Sequence, residues 1–178
     1  MDKIYLGAAY YPELWDEEEL EKDIARCKEV GVNCLRIGEF AWGKMEPEEG
    51  KFDLSWLVRV VDRLYKNGIF TVLCTPTATP PRWMLNKYPE MRMIMHDLVR
   101  ADVSSRCHVC KTSPVAREKN RLIVTELAKM FAGHKGVFGW QIDNELFPYS
   151  EGCYCENCKH AFRTYLQDKF GTTEKLNK

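Results

Sequence analysis

Apolar and polar positions along the chain alternate between short apolar runs and amphipathic stretches. Ile4 to Tyr10 is an apolar run broken by Pro12, which predicts a first strand and then a loop carrying Tyr10, Tyr11, Glu13 and Trp15. Asp16 and Glu19 make a capping-box-like start, Leu20, Ile24 and Cys27 share one helical face, and Gly31 stands where a helix C-terminal glycine belongs. Val32 to Ile37 resumes an apolar strand. The order then repeats: Asp53 is the expected cap of a helix whose Trp56, Leu57, Val60, Val61 and Leu64 form one stripe, Gly68 ends it, and Ile69 to Cys74 reads as strand. Val137 to Ile142 predicts a fourth strand, and a last helix is expected from about Glu156 to Phe170, before Gly171.

Gly31 to Gly68 spans an ordinary strand-helix period, but Gly68 to Gly136 spans nearly twice that. The surplus begins with Thr75-Pro76-Thr77-Ala78-Thr79-Pro80-Pro81-Arg82-Trp83, too rich in proline for regular structure. Ser113-Pro114 then opens a helix with Leu122, Ile123, Leu127, Met130 and Phe131 expected inside. A loop insertion of that length usually shapes a site. Four strand-helix units with near-continuous apolar strands predict an α/β fold with a parallel sheet, either a barrel or an open doubly wound sheet. No strand is followed by Gly-x-Gly-x-x-Gly or a Walker-type loop, which weakens the nucleotide-binding open sheets and favours the barrel. We therefore read residues 1–178 as one partial barrel domain, with inserted loops around 104–113 and 150–159.

Composition narrows the function. The chain has 178 residues, 45% hydrophobic and 12% aromatic, enough to bury a substantial core. Lys+Arg and Asp+Glu each number 26, so no basic field draws nucleic acid or an anionic membrane. The first residues lack a long apolar run, and no later stretch approaches the ~20 apolar residues of a membrane helix. The expectation is a cytoplasmic protein with reduced thiols.

Eight cysteines are present, and their positions divide them. Cys27, Cys34 and Cys74 fall on apolar positions of helix or strand patterns and are assigned to packing. Cys153, Cys155 and Cys158 crowd three thiols into six residues, which disulfides satisfy only with strain and a leftover sulfur. A structural zinc needs four ligands, and the fourth would come from Cys110 or Cys107 in the inserted loop, with Cys110 preferred and His108 and His160 as nearby alternatives. An iron–sulfur cluster and unliganded thiols are the competing readings. Zinc here would staple the loop after the third strand to the loop after the fourth.

The fourth strand ends on Asp143-Asn144-Glu145, and a carboxyl at the C-terminal end of a barrel strand stands at the active-site rim. Glu145 is the catalytic candidate, against the plainer reading of a helix cap or a solvated side chain. Glu39 ends the second strand in the same way, and capping explains it almost as well. Trp42, Trp83 and Trp140 could stack on sugars, but tryptophans at such spacing mostly fill core, the default for Trp140.

These residues carry a resemblance. Tyr10-Tyr11-Pro12-Glu13, Arg36-Ile37-Gly38-Glu39-Phe40-Ala41-Trp42, Met45-Glu46-Pro47, Thr75-Pro76-Thr77-Ala78-Thr79-Pro80-Pro81 and Gly139-Trp140-Gln141-Ile142-Asp143-Asn144-Glu145 are similar, in order, to motifs of glycoside hydrolase family forty-two. The chain resembles the N-terminal part of the catalytic (β/α)8 TIM barrel of those β-galactosidases. The resemblance implies retaining hydrolysis of terminal β-D-galactosides, with Glu145 as general acid/base, Asn144 and Arg106 as sugar-binding residues, and Cys110, Cys153, Cys155 and Cys158 as zinc ligands. A glycosidase acid must hold its proton near neutral pH, and a hydrogen bond from Asn144 to the sugar 2-hydroxyl would tighten in the oxocarbenium-like transition state.

A retaining glycosidase also needs a carboxylate nucleophile ~5–5.5 Å from the acid. In the family it comes from a later strand, and a complete barrel takes ~250 residues. The expectation is a truncated or split chain carrying the acid/base half of the site, inactive alone, which self-associates or pairs with a missing C-terminal half because its edges are open. The alternative is an inactive, zinc-stabilised sugar-binding or interaction module.

Overall fold

The structure, a computed structural model, describes residues 4–102, 108–146 and 152–178. Its elements in chain order are β1 (Gly7–Ala9), α1 (Glu17–Glu29), β2 (Cys34–Ile37), α2 (Trp42–Met45), α3 (Ser55–Lys66), β3 (Phe70–Cys74), α4 (Arg82–Lys87), α5 (Pro114–Phe131), β4 (Val137–Gln141), α6 (Glu156–Phe170) and α7 (Thr173–Leu176). All strand pairs are parallel, and the sheet order β1-β2-β3-β4 follows the sequence. Such an order never reverses, so it has no topological switch point of the doubly wound kind and advances as a barrel wall does.

The helices form where their signals stand. Asp16 caps α1 by accepting the Glu19 N–H, and Ser113 caps α5 by accepting that of Ala116, with Pro114 at the first helical position. Asp53 acts one residue earlier than a true cap: α3 starts at Ser55, and Asp53 Oδ1 accepts both the N–H and the hydroxyl of Ser55. The α3 stripe buries all five expected residues against Leu35, Ile37 and Leu73 of the sheet. Leu57 and Leu64 are wholly buried, and cutting either to alanine would cost about 2–5 kcal/mol. On α5 only Ile123, Leu127 and Phe131, one residue per turn, are buried along with Ala116. Met130, expected inside, is exposed because it lies off that narrow stripe.

The first strand is shorter than its apolar run. Ile4, Tyr5 and Leu6 lie exposed beyond the ladder, where the Asn33 side chain replaces a strand partner: its Oδ1 accepts the Leu6 N–H and its Nδ2 donates to the Ile4 carbonyl. Gly7 sits where a Cβ would come within 2.1 Å of the Cys34 carbonyl oxygen, so β1 approaches β2 more closely than a side chain allows.

A register shift sets the face of β4. Thr71 pairs with Val137 but Val72 pairs with Gly139, so Phe138 is an extra residue. Its ring stacks on Tyr5 at 4.5 Å and meets Phe70 edge-on. Beyond the bulge, Gly139 continues the row of Arg36 and Val72, and Gln141 stands beside Cys74. Trp140 pairs with Leu73 on the opposite face, yet it is 40% exposed rather than core, because β4 is an edge strand and α6 buries none of its residues.

The inserted segment is more regular than its prolines suggest. After α4 and a 3-10 turn over Pro89–Met91, the chain folds back on itself. Met93 N–H bonds the His108 carbonyl and Cys110 N–H bonds the Met91 carbonyl, with Met91 and Met93 buried beneath. This ribbon delivers Cys110 to the end of the barrel where β4 finishes.

Candidate active site and thiol cluster

Asp143, Asn144 and Glu145 follow β4 in a strained turn. Asp143 has φ +59° and Glu145 φ +49°, left-handed values that non-glycine residues adopt only when their surroundings hold them there. The restraints converge on Asp143. Its N–H donates to Thr75 Oγ1 at 2.7 Å, its Oδ1 accepts the Asn144 N–H at 2.9 Å, and its Oδ2 pairs with Lys111 Nζ at 2.7 Å. Asp143 is thus a buried brace. Asn144 is half-buried and Glu145 is exposed at the rim.

A second chain of contacts reaches Asn144 from across the sheet. Arg36 on β2 pairs with Glu39 Oε2 at 2.7 Å and donates from Nη1 to Gln141 Oε1 at 2.5 Å, passing over β3. Gln141 Nε2 donates to the Asp143 carbonyl at 3.0 Å and to Asn144 Oδ1 at 3.4 Å. Glu39 is therefore neither cap nor free rim acid; it is buried and holds Arg36. Two groups nearby feel the same enclosure. Burial pushes the Cys74 thiol up to about 12, with Arg36 opposing and Glu39 and Glu13 reinforcing. Burial likewise raises the Glu13 carboxyl above the usual carboxylate range, against its own backbone N–H and Lys44.

Four sulfurs, those of Cys110, Cys153, Cys155 and Cys158, lie within 4.8 Å of one another. Cys110 Sγ is 3.5 Å from Cys155 Sγ and 3.4 Å from Cys158 Sγ, against about 3.8 Å for the edge of a zinc–thiolate tetrahedron with ~2.3 Å bonds. All four are free thiols, and their number, softness and mutual spacing fit one tetrahedral metal ion. Cys155 is the N-cap of α6, where the helix dipole favours a thiolate. Burial works against ionisation of Cys155, but the Cys158 backbone N–H and neighbouring thiols outweigh it and the net shift is downward. Thr112, which the sequence did not single out, places Oγ1 3.0 Å from Cys110 Sγ and 3.1 Å from Cys158 Sγ. The Tyr154 N–H bonds the Ile94 carbonyl, so the inserted ribbon and the segment before α6 meet at this cluster.

The sequence left the fourth thiol open between Cys110 and Cys107; the geometry brings Cys110 in. Cys107 and the sugar-binding candidate Arg106 lie outside the described residues. Neither His108 nor His160 belongs to the sulfur group. Trp42 is wholly buried and donates to Glu46 Oε2, and Trp83, partly buried, donates to the Glu46 carbonyl, so both indoles fasten the loop after β2. Arg36, Gln141, Lys111 and Thr75 are the residues that sequence reasoning did not assign, because most of the contacts that define their roles join segments far apart in the chain.

The family model described as glycoside hydrolase family 42 β-galactosidase matches residues 9–178. The chain belongs to this family. The β-galactosidase YesZ of Bacillus subtilis is 45% identical over 180 residues, covering 99% of this chain and 27% of that protein. Among solved structures, a β-galactosidase from Bacillus circulans sp. alkalophilus superposes with a TM-score of 0.93 at 32% identity, over 98% of this chain and 26% of that one. A polyextremophilic β-galactosidase from Halorubrum lacusprofundi gives 0.93 at 40% identity, with 98% and 26% covered. This family 42 chain thus spans about a quarter of the length of the relatives it matches, and its four parallel strands are part of their α/β barrel. Among the described residues, no helix is long and apolar enough to cross a membrane.

Proposed function

We propose that this chain supplies the acid/base side of a retaining β-galactosidase site, with Glu145 as the proton donor and Asn144 as a donor to the sugar 2-hydroxyl. The observation that carries the reading is the placement of Asn144-Glu145 at the C-terminal end of β4, where barrel enzymes hold their chemistry, in a left-handed turn fixed from three sides. Arg106 is proposed as a further sugar contact. Glu145 protonates the departing glycosidic oxygen and then takes a proton from the incoming water; a carboxylate nucleophile ~5–5.5 Å away forms the glycosyl intermediate. Glu145 is exposed on these four strands, so further barrel units would supply both that nucleophile and the wall that encloses the acid.

Zinc is the metal proposed for the four thiols, in a structural role: four thiolates close the tetrahedron and leave no position for substrate. Exposed apolar side chains on β4, just after it and on α6, among them Trp140, Ile142, Phe162 and Tyr165, argue that this face is covered in the working protein. The chain exposes 10963 Å², where a folded monomer of 20.8 kDa exposes about 8,900 Å². Further barrel strands or a second copy would cover it.

The test compares wild type with Glu145→Gln in the complete gene product on two β-galactosides. With an alkyl leaving group, which must be protonated, the variant is expected to be slower by ~10²–10⁴-fold. With a dinitrophenolate leaving group, which needs no proton, cleavage of the glycosidic bond should be nearly unaffected. Equal losses on both substrates, or no loss on either, refute the assignment. The 178-residue chain alone is expected to bind galactose without appreciable turnover.

A further inference from the structure

Cys110-Lys111-Thr112 sends three consecutive side chains to two places. Cys110 and Thr112 belong to the sulfur group, whereas Lys111 Nζ reaches Asp143 Oδ2. Asp143 in turn holds the Asn144 N–H and begins the left-handed turn that ends at Glu145. A non-glycine residue in that backbone region costs ~1–3 kcal/mol and persists only while its contacts over-determine it. Among the described residues, the contacts that reach Asp143 from outside the strand end are the Thr75 hydroxyl and Lys111. The Asp143 side chain is only 12% exposed, so the end of the ion pair that matters to the turn is poorly screened.

We infer that Lys111 is a positioning residue that couples the four-thiol cluster to the Asp143–Glu145 turn. The inference rests on reading Asn144 and Glu145 as the sugar-facing pair. A metal ion held by all four sulfurs fixes the Cys110 backbone, and the Lys111 Cα is only ~3.8 Å further along the chain. Without the ion, Cys110 keeps its backbone bonds to Met91 and Ser113, and what still joins it to the other cysteines among the described residues is weak: thiol contacts to Cys155 and Cys158, the Thr112–Cys158 contact and the Tyr154–Ile94 backbone bond. The ammonium of Lys111 then samples a wider range, and the Asp143 carboxylate loses its fixed counter-charge. A cluster that stands apart from the reacting atoms thereby contributes to the geometry of the site.

Hydrogen exchange over residues 141–146 tests this without any substrate. In the wild-type chain, removal of Zn(II) by a chelator should speed exchange there by about 2- to 5-fold, the scale of one partly screened ion pair. Lys111→Met should exchange at the fast rate whether or not Zn(II) is present, and Lys111→Arg should restore the metal-dependent protection. Thiolate-to-Co(II) absorption, measured with Co(II) alone, should be the same in wild type and both variants, which shows that the cluster still forms. Wild-type protection retained in Lys111→Met, or exchange at 141–146 indifferent to metal in the wild type, overturns the coupling, as does a chain that takes up neither ion. The exchange readout and the leaving-group comparison fail independently: loss of the first leaves the role of Glu145 standing, and loss of the second leaves the coupling.

Discussion

Arg36 Nη1 meets Gln141 Oε1 at 2.5 Å across the width of β3, and a guanidinium can only donate. That contact decides which end of the Gln141 amide is which. Nε2 must face the Asp143 carbonyl, an acceptor, and the Oδ1 of Asn144 must face Nε2. The polarity set at Arg36 is thus passed along two amides and fixes which way the Asn144 side chain is turned. Gln141→Glu keeps a partner for Arg36 but replaces the donor with a carboxylate oxygen, which repels both acceptors. The penalty for such a mismatch is ~1–3 kcal/mol, enough to turn the Asn144 amide over. Galactose affinity of the chain, measured by titration, should fall about tenfold with little change in thermal midpoint. An unchanged dissociation constant would show that Asn144 does not depend on Gln141.

The parts of this architecture that were legible in the sequence are those whose causes lie within a few residues. Asp16 and Ser113 announce α1 and α5 because a cap acts on an N–H three residues away. The α3 stripe was readable because helix period alone places Trp56 through Leu64 on one side. Cys153, Cys155 and Cys158 declared a cluster by crowding, yet the fourth sulfur comes from a segment that only the folded ribbon brings near. Arg36, Gln141 and Lys111 were not legible, since their roles depend on strand register and on a bulge at Phe138 that shifts every β4 side chain beyond it. Trp140 and Met130 show the complementary failure: an apolar pattern marks candidates for burial, but whether anything covers them is a tertiary fact.

Glu49, in the loop after α2, ties the end of α4 to α5 and should make stability acid-sensitive. Its carboxylate is held by Lys119, Lys87 and the Tyr88 hydroxyl, which lower its pKa to about 2 from an ordinary value near 4.5. Because the folded state holds the proton less tightly than the unfolded chain, the contribution is complete above the unfolded pKa and is lost as pH falls toward the folded one. Thermal midpoints of the wild type should therefore drop between about pH 4.5 and 2 more steeply than those of Glu49→Gln. Parallel curves for the two proteins across that window would rule out this staple.

Thiol chemistry should separate the two classes of cysteine. Cys34 and Cys74 are buried, and burial raises both thiols, so neither offers thiolate at neutral pH. Alkylation by iodoacetamide, mapped by mass spectrometry in the folded chain, should leave these two unmodified with or without chelator. Cys110, Cys153, Cys155 and Cys158 should resist in Zn(II)-loaded protein and react after chelation, because a coordinated sulfur has its lone pair committed to the metal. Equal labelling of the four in both states would argue against a metal there.

The exposed start of β1 depends on a side chain in place of a strand. Asn33 Oδ1 accepts from Leu6, Asn33 Nδ2 donates to the Ile4 carbonyl, and its backbone N–H bonds the Leu6 carbonyl, so one residue closes the ladder on both sides of Tyr5. Asn33→Ala removes the two side-chain bonds and keeps the backbone one. Since the site is exposed, water replaces much of what is lost, and the net cost should be ~0.5–1.5 kcal/mol per bond rather than that of a buried orphan. The damage should be local. Tyr5 stacks on Phe138 at the β4 bulge, so fraying of residues 4–6 uncovers that ring, while the buried α3–α5 core, to which residues 4–6 do not belong, should stay closed. Hydrogen exchange should accelerate at Leu6 and around Phe138 and remain unchanged in α5. If α5 accelerated as well, β1 would have to be integral to the folding unit rather than an appended edge, and the account of Asn33 as a local splint would be wrong.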